Sequence, residues 1–297
     1  MTYNVSSKFN PQCFGPSCGL KYLTNHTIFS DRLHHQLNGH VTKYRHILTT
    51  LPRASPERHG CIKSLASALV HRYNLLRQVD DLEQSILCLT EAIFLPPHWD
   101  RRFPNIAQAL RSTAQLLLIR ATCNEHPEDV KRPVIYLRYL RGQSPEVFNI
   151  SPDEVKESLM GALALQVGLE LGDVMQDIDE MADLFLELLN SDTWTISTIT
   201  LFARMVRLRC HRWEKGKEPP AKVIDCLRKA KIRLPDSGEL SITLSCTLFD
   251  RFRTSYSDDD YEEGTVILDK ILTSHTPGDD PSQYRGALMI IAGFAQV

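Results

Sequence analysis

Residues 80–97, DDLEQSILCLTEAIFLPP, carry the signals of a helix with a defined start and end. Two adjacent acids begin the stretch, and the first turn of a helix favours negative charge. Leu82, Ile86, Leu89 and Ile93 follow at three- and four-residue spacing, which places them on one stripe of a helix. Two prolines close the stretch, and proline cannot continue a helix. The stretch therefore predicts a helix that packs through a single apolar face.

The same plan recurs near the end of the chain, in residues 259–274, DDYEEGTVILDKILTS. Residues 65–93 align with residues 244–272 without a gap, at an offset of 179 residues from 65 to 244. The identical pairs are Leu65/Leu244, Leu69/Leu248, Arg72/Arg251, Asp80/Asp259, Asp81/Asp260, Glu83/Glu262 and Leu89/Leu268. Such self-similarity indicates a repeat architecture, in which each unit buries its apolar face against the next.

Weaker copies of the segment lie between these two. Taking Asp81 as the first anchor, the next anchors are Asp129, Asp177, Pro219 and Asp260, at intervals of 48, 48, 42 and 41 residues. Proline and capping signals separate the helical patterns, as in SPDE at 151–154, where Ser151 is the predicted N-cap and Glu154 closes a capping box. Strand-like alternation is scarce, so the pattern predicts an all-α protein.

The stretch LASAL…DDLEQSILCLTEAIFLPP resembles a hairpin of the tetratricopeptide repeat (TPR) family. The matching positions are Leu65, Ala66 and Leu69 in the first helix, then Ser85, Leu89, Ala92 and Pro97. The chain departs from the family pattern at Leu69, which is not aromatic, and at Ile62, which is not tryptophan-like. It also departs in length, because a standard repeat has about 34 residues. One or two added heptads account for the longer intervals. Seven residues are nearly two helical turns, so such an insertion lengthens a helix and keeps its apolar stripe almost on the same side.

This resemblance implies an all-α, right-handed α-solenoid of stacked TPR-like helical hairpins with elongated helices. The expected organisation is an irregular leader (1–30), an N-terminal helix and linker (31–55), and a TPR-like repeat array (56–297) whose last repeat is incomplete. About five hairpins are expected.

The longer pattern resembles, more specifically, the TPR arrays of fungal proteins that often end in a caspase-like CHAT peptidase domain. This resemblance rests on IYLRYLRGQSPE, LELGDVMQDIDEMA and DDYEEGTVILDKILTS…PGDDPSQY. The peptidase domain is absent, and the sequence stops part-way through a first-helix pattern, so a truncated array is expected. Terminal repeats normally need a polar cap. We therefore expect self-association through uncovered Leu288, Ile290, Ile291 and Phe294.

Composition limits the classes of partner. The formal net charge is −2 and the pI is about 6.6, which argues against a nucleic-acid or anionic-membrane partner. No apolar run approaches the roughly 20 residues that span a bilayer. The eight cysteines are spread along the chain and mostly lie in helical patterns, as is typical of buried thiols in a reducing compartment. The expected location is the cytoplasm.

The N-terminal region contains one candidate metal site. Cys13 and Cys18 are followed by His35 and His40, and two Cys with two His can bind Zn²⁺. However, 16 residues separate Cys18 from His35, against about 12 in a common finger. A flexible leader followed by a helix over residues 31–48 with surface histidines is the preferred interpretation, and no cofactor is predicted. A zinc-stabilised nucleic-acid binder is the corresponding alternative function, and net charge argues against it.

The predicted function is a non-enzymatic scaffold that binds a protein or peptide partner. A TPR-like stack has a concave face lined by the first helix of each hairpin. The resemblance places Lys63, Ser67 and His71 on that face in the clearest repeat. The alternative is a regulatory or sensor segment of a CHAT-type peptidase system, truncated in this chain.

Overall fold

The computed structural model describes residues 27–94, 103–123, 126–143, 150–191, 193–210 and 219–274, and positions 288 and 290. Within these residues 86% are helical and none is in a strand, which confirms the all-α prediction. The chain divides into two compact units, Met1–Ser158 and Leu159–Val297. No helix among the described residues is both long and apolar enough to cross a membrane.

The first five helices of the first unit pack in chain order. α1 packs on α2, α2 on α3, α3 on α4, and α4 on α5. A 3₁₀ turn at Pro127–Val130 leads directly into α5. The helices are α1 (Thr27–Thr50), α2 (Pro56–Leu76), α3 (Val79–Phe94), α4 (Phe103–Cys123), α5 (Lys131–Arg141) and α6 (Pro152–Gly168), the last of which continues past the unit boundary.

The apolar stripe predicted for residues 80–97 forms part of the core of this unit. Leu82, Ile86 and Leu89 are buried, and they join Leu117 of α4 in one cluster. Ile93 is partly buried and packs beside a second cluster. Each fully buried leucine or isoleucine stabilises the fold by about 1.5–3 kcal/mol relative to an exposed one, so the stripe attaches α3 firmly to its neighbours.

The described residues of the second unit form five further helices, arranged around α10. α10 packs against α8, α9 and α11, while α7 packs against α8 and α9. The rings of Phe185 in α7 and Phe202 in α8 stack with centroids 4.6 Å apart. The helices are α7 (Val174–Asn190), α8 (Ile196–Cys210), α9 (Ala221–Arg233), α10 (Gly238–Ser255) and α11 (Asp258–Ser274).

The backbone repeats where the sequence repeats. Arg77 and Tyr256, which are 179 residues apart, both adopt left-handed conformations, with φ of 56° and 53°. The amide of Arg77 donates to the Tyr73 carbonyl, and that of Tyr256 donates to the Phe252 carbonyl. Such a left-handed residue ends a helix by satisfying a carbonyl of its last turn. The first and last hairpins therefore turn at the same place in the same way.

The ends of the chain are described only in part. Residues 1–26 of the predicted leader lie outside the described residues, and the helix expected from residue 31 begins at Thr27. In the expected half-repeat, Leu288 is exposed but Ile290 is buried, so the prediction of an uncovered side chain is wrong for Ile290. Ile291 and Phe294 lie outside the described residues.

Candidate functional site

The exposed face of α2 carries the three predicted binding residues. Lys63, Ser67 and His71 are all exposed, and their four-residue spacing places them on one side of the helix. The opposite side is buried against α1 and α3 through residues such as Ile62 and Leu69. The structure thus brings the three polar side chains together on a surface that packing leaves open.

Two polar contacts connect this face to the following helices. Lys63 Nζ donates to Gln108 Oε1 of α4, and Arg111 of α4 donates to Glu154 Oε2 of α6. Both donors occupy the same repeat position, since 48 residues separate them, the interval that also separates the Asp81 and Asp129 anchors. The recurrence indicates that α2 meets α4 much as α4 meets α6. Glu154, which the sequence predicted to close a capping box, is the acceptor in the second of these contacts.

These contacts are exposed, so polar groups of a ligand can replace the acceptors Gln108 and Glu154. The side chains of Arg111 and Glu154 keep 28% and 52% of their exposure, and exposed ion pairs contribute only about 0–1 kcal/mol. Lys63 pairs with a neutral amide oxygen. A carboxylate would be a stronger acceptor for it, because hydrogen bonds between ionised groups are roughly twice as strong as neutral ones. The face is therefore suited to a partner segment that carries acidic groups.

A buried ion pair fixes the angle of the hairpin that presents this face. Near the end of α2, Arg72 Nε donates to Asp81 Oδ2 at 2.8 Å, and the Arg72 Nη2 atom donates to Asp81 Oδ1 at 2.5 Å. Asp81, in the first turn of α3, is only 1% exposed. This hydrogen bonding raises the pKa of Arg72. A two-pronged bond of this kind constrains both distance and orientation.

The same fork recurs in two other hairpins. Arg120 donates to both carboxylate oxygens of Asp129, at 2.5 and 2.7 Å, and Arg251 does the same to Asp260. Each arginine stands nine residues before its acid, as Arg72 does. Helical periodicity and charge placed these acids in favourable first turns of helices but did not indicate their partners. An Arg-x₈-Asp pattern at the repeat interval was the available signal.

The third hairpin also has a buried acid, but its partner is a glutamine and not an arginine. Asp177 is buried and accepts from Gln166 Nε2 at 2.7 Å, across a separation of 11 residues. The segment between Gln166 and Asp177 contains Gly172, with φ of 104°. A Cβ at Gly172 would lie 2.8 Å from Gln166 Nε2, so the glycine leaves the space that this contact occupies.

The fourth hairpin has lost the acid. The amide of Val223 donates to the Pro220 carbonyl, as the amide of Asp81 donates to that of Gln78. Val223 is therefore the structural counterpart of Asp81, four residues after the predicted anchor at Pro219. With Val223 as the anchor, the interval from Asp177 is 46 residues and the interval to Asp260 is 37 residues. A buried valine here replaces the ion pair with apolar packing.

The structure describes only two of the four candidate zinc ligands. Cys13 and Cys18 lie outside the described residues. His35 and His40 are exposed on α1, and a five-residue separation turns two side chains about 140° apart on a helix. Within the described part of the chain, no group of three or more His, Cys, Asp or Glu side chains could hold a metal ion.

Two buried thiols belong to the core of the second unit. Burial raises the pKa of Cys226 and of Cys246 to about 12, and the Cys226 thiol donates to the Ala182 carbonyl at 3.5 Å. A thiol with such a pKa is protonated at neutral pH, whereas the thiolate is the nucleophile. These residues therefore act as packing groups.

Comparison with protein-family models and with curated protein sequences gives no match for this chain.

Proposed function

We propose that this chain is a protein-interaction scaffold, a right-handed α-solenoid of TPR-like hairpins that binds an extended protein or peptide segment along α2 and α4. The observation that carries the proposal is the exposed polar face formed by Lys63, Ser67 and His71 beside Gln108 and Arg111. The helices behind this face are fixed by buried apolar stripes and by the arginine–aspartate forks. A rigid surface of this kind lowers the entropy cost of binding.

The chemistry of the face favours an acidic partner. Lys63 on α2 and Arg111 on α4 supply cationic donors, and His71 adds a third donor on the same side of α2 as Lys63. A partner in an extended conformation would place carboxylates against Lys63 and Arg111 in turn, displacing Gln108 and Glu154. Releasing these exposed contacts costs little, so most of the new interaction contributes to affinity.

Charge reversal tests the proposal directly. Proximity labelling and pull-down with the intact chain would be compared with Lys63→Glu and His71→Ala. Arg53→Glu is the matched control, because Arg53 is also an exposed cation but lies in the link between α1 and α2. We expect Lys63→Glu and His71→Ala to lose the partners that Arg53→Glu retains, with unchanged circular dichroism. Identical partner sets for wild type and Lys63→Glu would refute the proposal.

A further inference from the structure

A groove opens between α9 and α11 in the second unit. Its volume is about 660 Å³, and its apolar lining comes from Ile232, Leu244, Val266 and Ile267. Two of these side chains are unusually uncovered for their type, since Ile232 is 78% exposed and Val266 is 69% exposed. Neighbouring exposed apolar side chains that line a concave surface are typical of a binding site for a helix.

The charge that this groove presents to solvent is negative. Arg228 is engaged by Glu263 of α11, and Lys231 donates to the Pro235 carbonyl and to Ser241. Asp259 and Glu262 also line the groove, and both are exposed. Both cations are thus paired with groups of the same unit, while the carboxylates of Asp259 and Glu262 are exposed. The groove would therefore accept an apolar side chain flanked by positive charge.

α5 in the first unit has the complementary chemistry. Its sequence, KRPVIYLRYLR, contains no acid. Lys131, Arg132 and Ile135 are all exposed, Ile135 at 61%, and they lie on one side of the helix. Pro133, Val134 and Leu137 are buried on the other side. The outward face of α5 therefore combines an aliphatic anchor with adjacent cations.

We propose that α5 of one copy of this chain docks in the groove between α9 and α11 of a second copy. Ile135 would cover Val266 and Ile232, while Lys131 and Arg132 would meet Asp259 and Glu262. Because donor and acceptor surfaces differ, the contact is head-to-tail and adds copies in a row unless the rotation closes a ring.

Contacts within the second unit show that such pairing suits these helices. α9 is joined to α11 by Arg228 and Glu263, and to α7 by Lys222, which contacts Asp179 and Asp183. Adjacent helices are thus already bridged by cations of one and acids of the next. A cationic helix from a second copy would extend the same pattern across α11. The contact uses residues of α5, α9 and α11 and none of the partner-binding residues proposed on α2 and α4, so assembly would multiply the binding sites.

Sedimentation velocity across a concentration series tests the proposal with the full chain. The wild type should form species larger than a dimer at low salt and dissociate at high salt, since exposed charges are screened. Ile135→Glu and Val266→Lys should each weaken association at least tenfold. Leu87→Glu is the matched control, because Leu87 occupies the position of Ile135 one repeat earlier and is similarly exposed.

Mixing the two variants separates this contact from any other. The intact groove of the Ile135→Glu chain can accept the intact α5 of the Val266→Lys chain, so the equimolar mixture should regain the mass of a dimer. A monomeric wild type at all concentrations would overturn the proposal. It would also be overturned by association that survives both variants, or by an equal effect of Leu87→Glu, because another surface would then be responsible.

Discussion

The clearest structural prediction concerns the fork between Arg72 and Asp81. Asp81→Ala removes the acceptor of two hydrogen bonds and leaves the guanidinium of Arg72 without its counter-charge. Removing one partner of a buried ion pair typically costs about 3–5 kcal/mol. The cost should be smaller here, because the Arg72 side chain keeps 16% of its exposure and still donates to Asn38 Oδ1. We therefore expect a loss of about 2–3 kcal/mol.

The assay is thermal unfolding followed by circular dichroism. The fork lies in the unit Met1–Ser158, and for a unit of this size the expected loss lowers Tm by about 5–10 °C. Asp80→Ala is the control, because Asp80 is the adjacent acid in the same helical turn but is exposed. A surface change of that kind should stay within about 0.5 kcal/mol of wild type.

A double variant identifies the origin of the effect. Arg72→Met combined with Asp81→Leu removes both charges and fills the space with apolar groups, which often restores stability. We expect it to unfold at a higher temperature than Asp81→Ala alone. If Asp81→Ala unfolds at the same temperature as Asp80→Ala, the fork does not hold the hairpin and this reasoning is wrong.

Three further predictions concern the second unit and the cysteines. Gly172→Ala should destabilise by about 1 kcal/mol or more, because φ is +104° and the added Cβ would crowd Gln166; a Tm equal to wild type would contradict this. Burial raises the pKa of Asp250 to about 7, above its unfolded value. The stability that the protonated carboxyl contributes is therefore present at low pH and is lost as pH rises from about 4 to about 7. Asp250→Asn should raise Tm relative to wild type at pH 8 but not at pH 4. In the native protein, iodoacetamide should modify exposed Cys123 well before buried Cys226, and equal rates would show that the second unit opens readily.

Local sequence signals predicted the helices well. The stripe Leu82, Ile86 and Leu89 is buried as its periodicity indicated, and α6 begins at Pro152 after the predicted cap. These features depend on residues within one or two turns of each other. The 179-residue repeat likewise extends to the left-handed residues Arg77 and Tyr256, which differ in type but lie between the same Arg and Asp positions of the repeat.

Local sequence did not predict which acids are buried. Exposed and buried carboxylates look alike in a first turn, so Asp80 and Asp81 could not be distinguished by type. The hairpin turn brings Arg72 over Asp81 and leaves Asp80 in solvent. In the fourth hairpin the turn geometry, rather than residue type, identified Val223 as the counterpart of Asp81.

Tertiary structure gives one helical face a different environment in the two copies of the repeat. Lys63, Ser67 and His71 are exposed on α2. The residues 179 positions later are Ile242, Cys246 and Asp250, of which the first two are buried and the third is half-buried.

The sequence by itself determined that the members of each set share one side of a helix, because side-chain direction follows from helical geometry. Tertiary structure decided whether that side meets solvent. α10 is packed by α8, α9 and α11, and residues Leu240–Leu248 are buried along its whole circumference. Long-range packing, which periodicity does not encode, therefore leaves the polar face of α2 open and covers the equivalent face of α10.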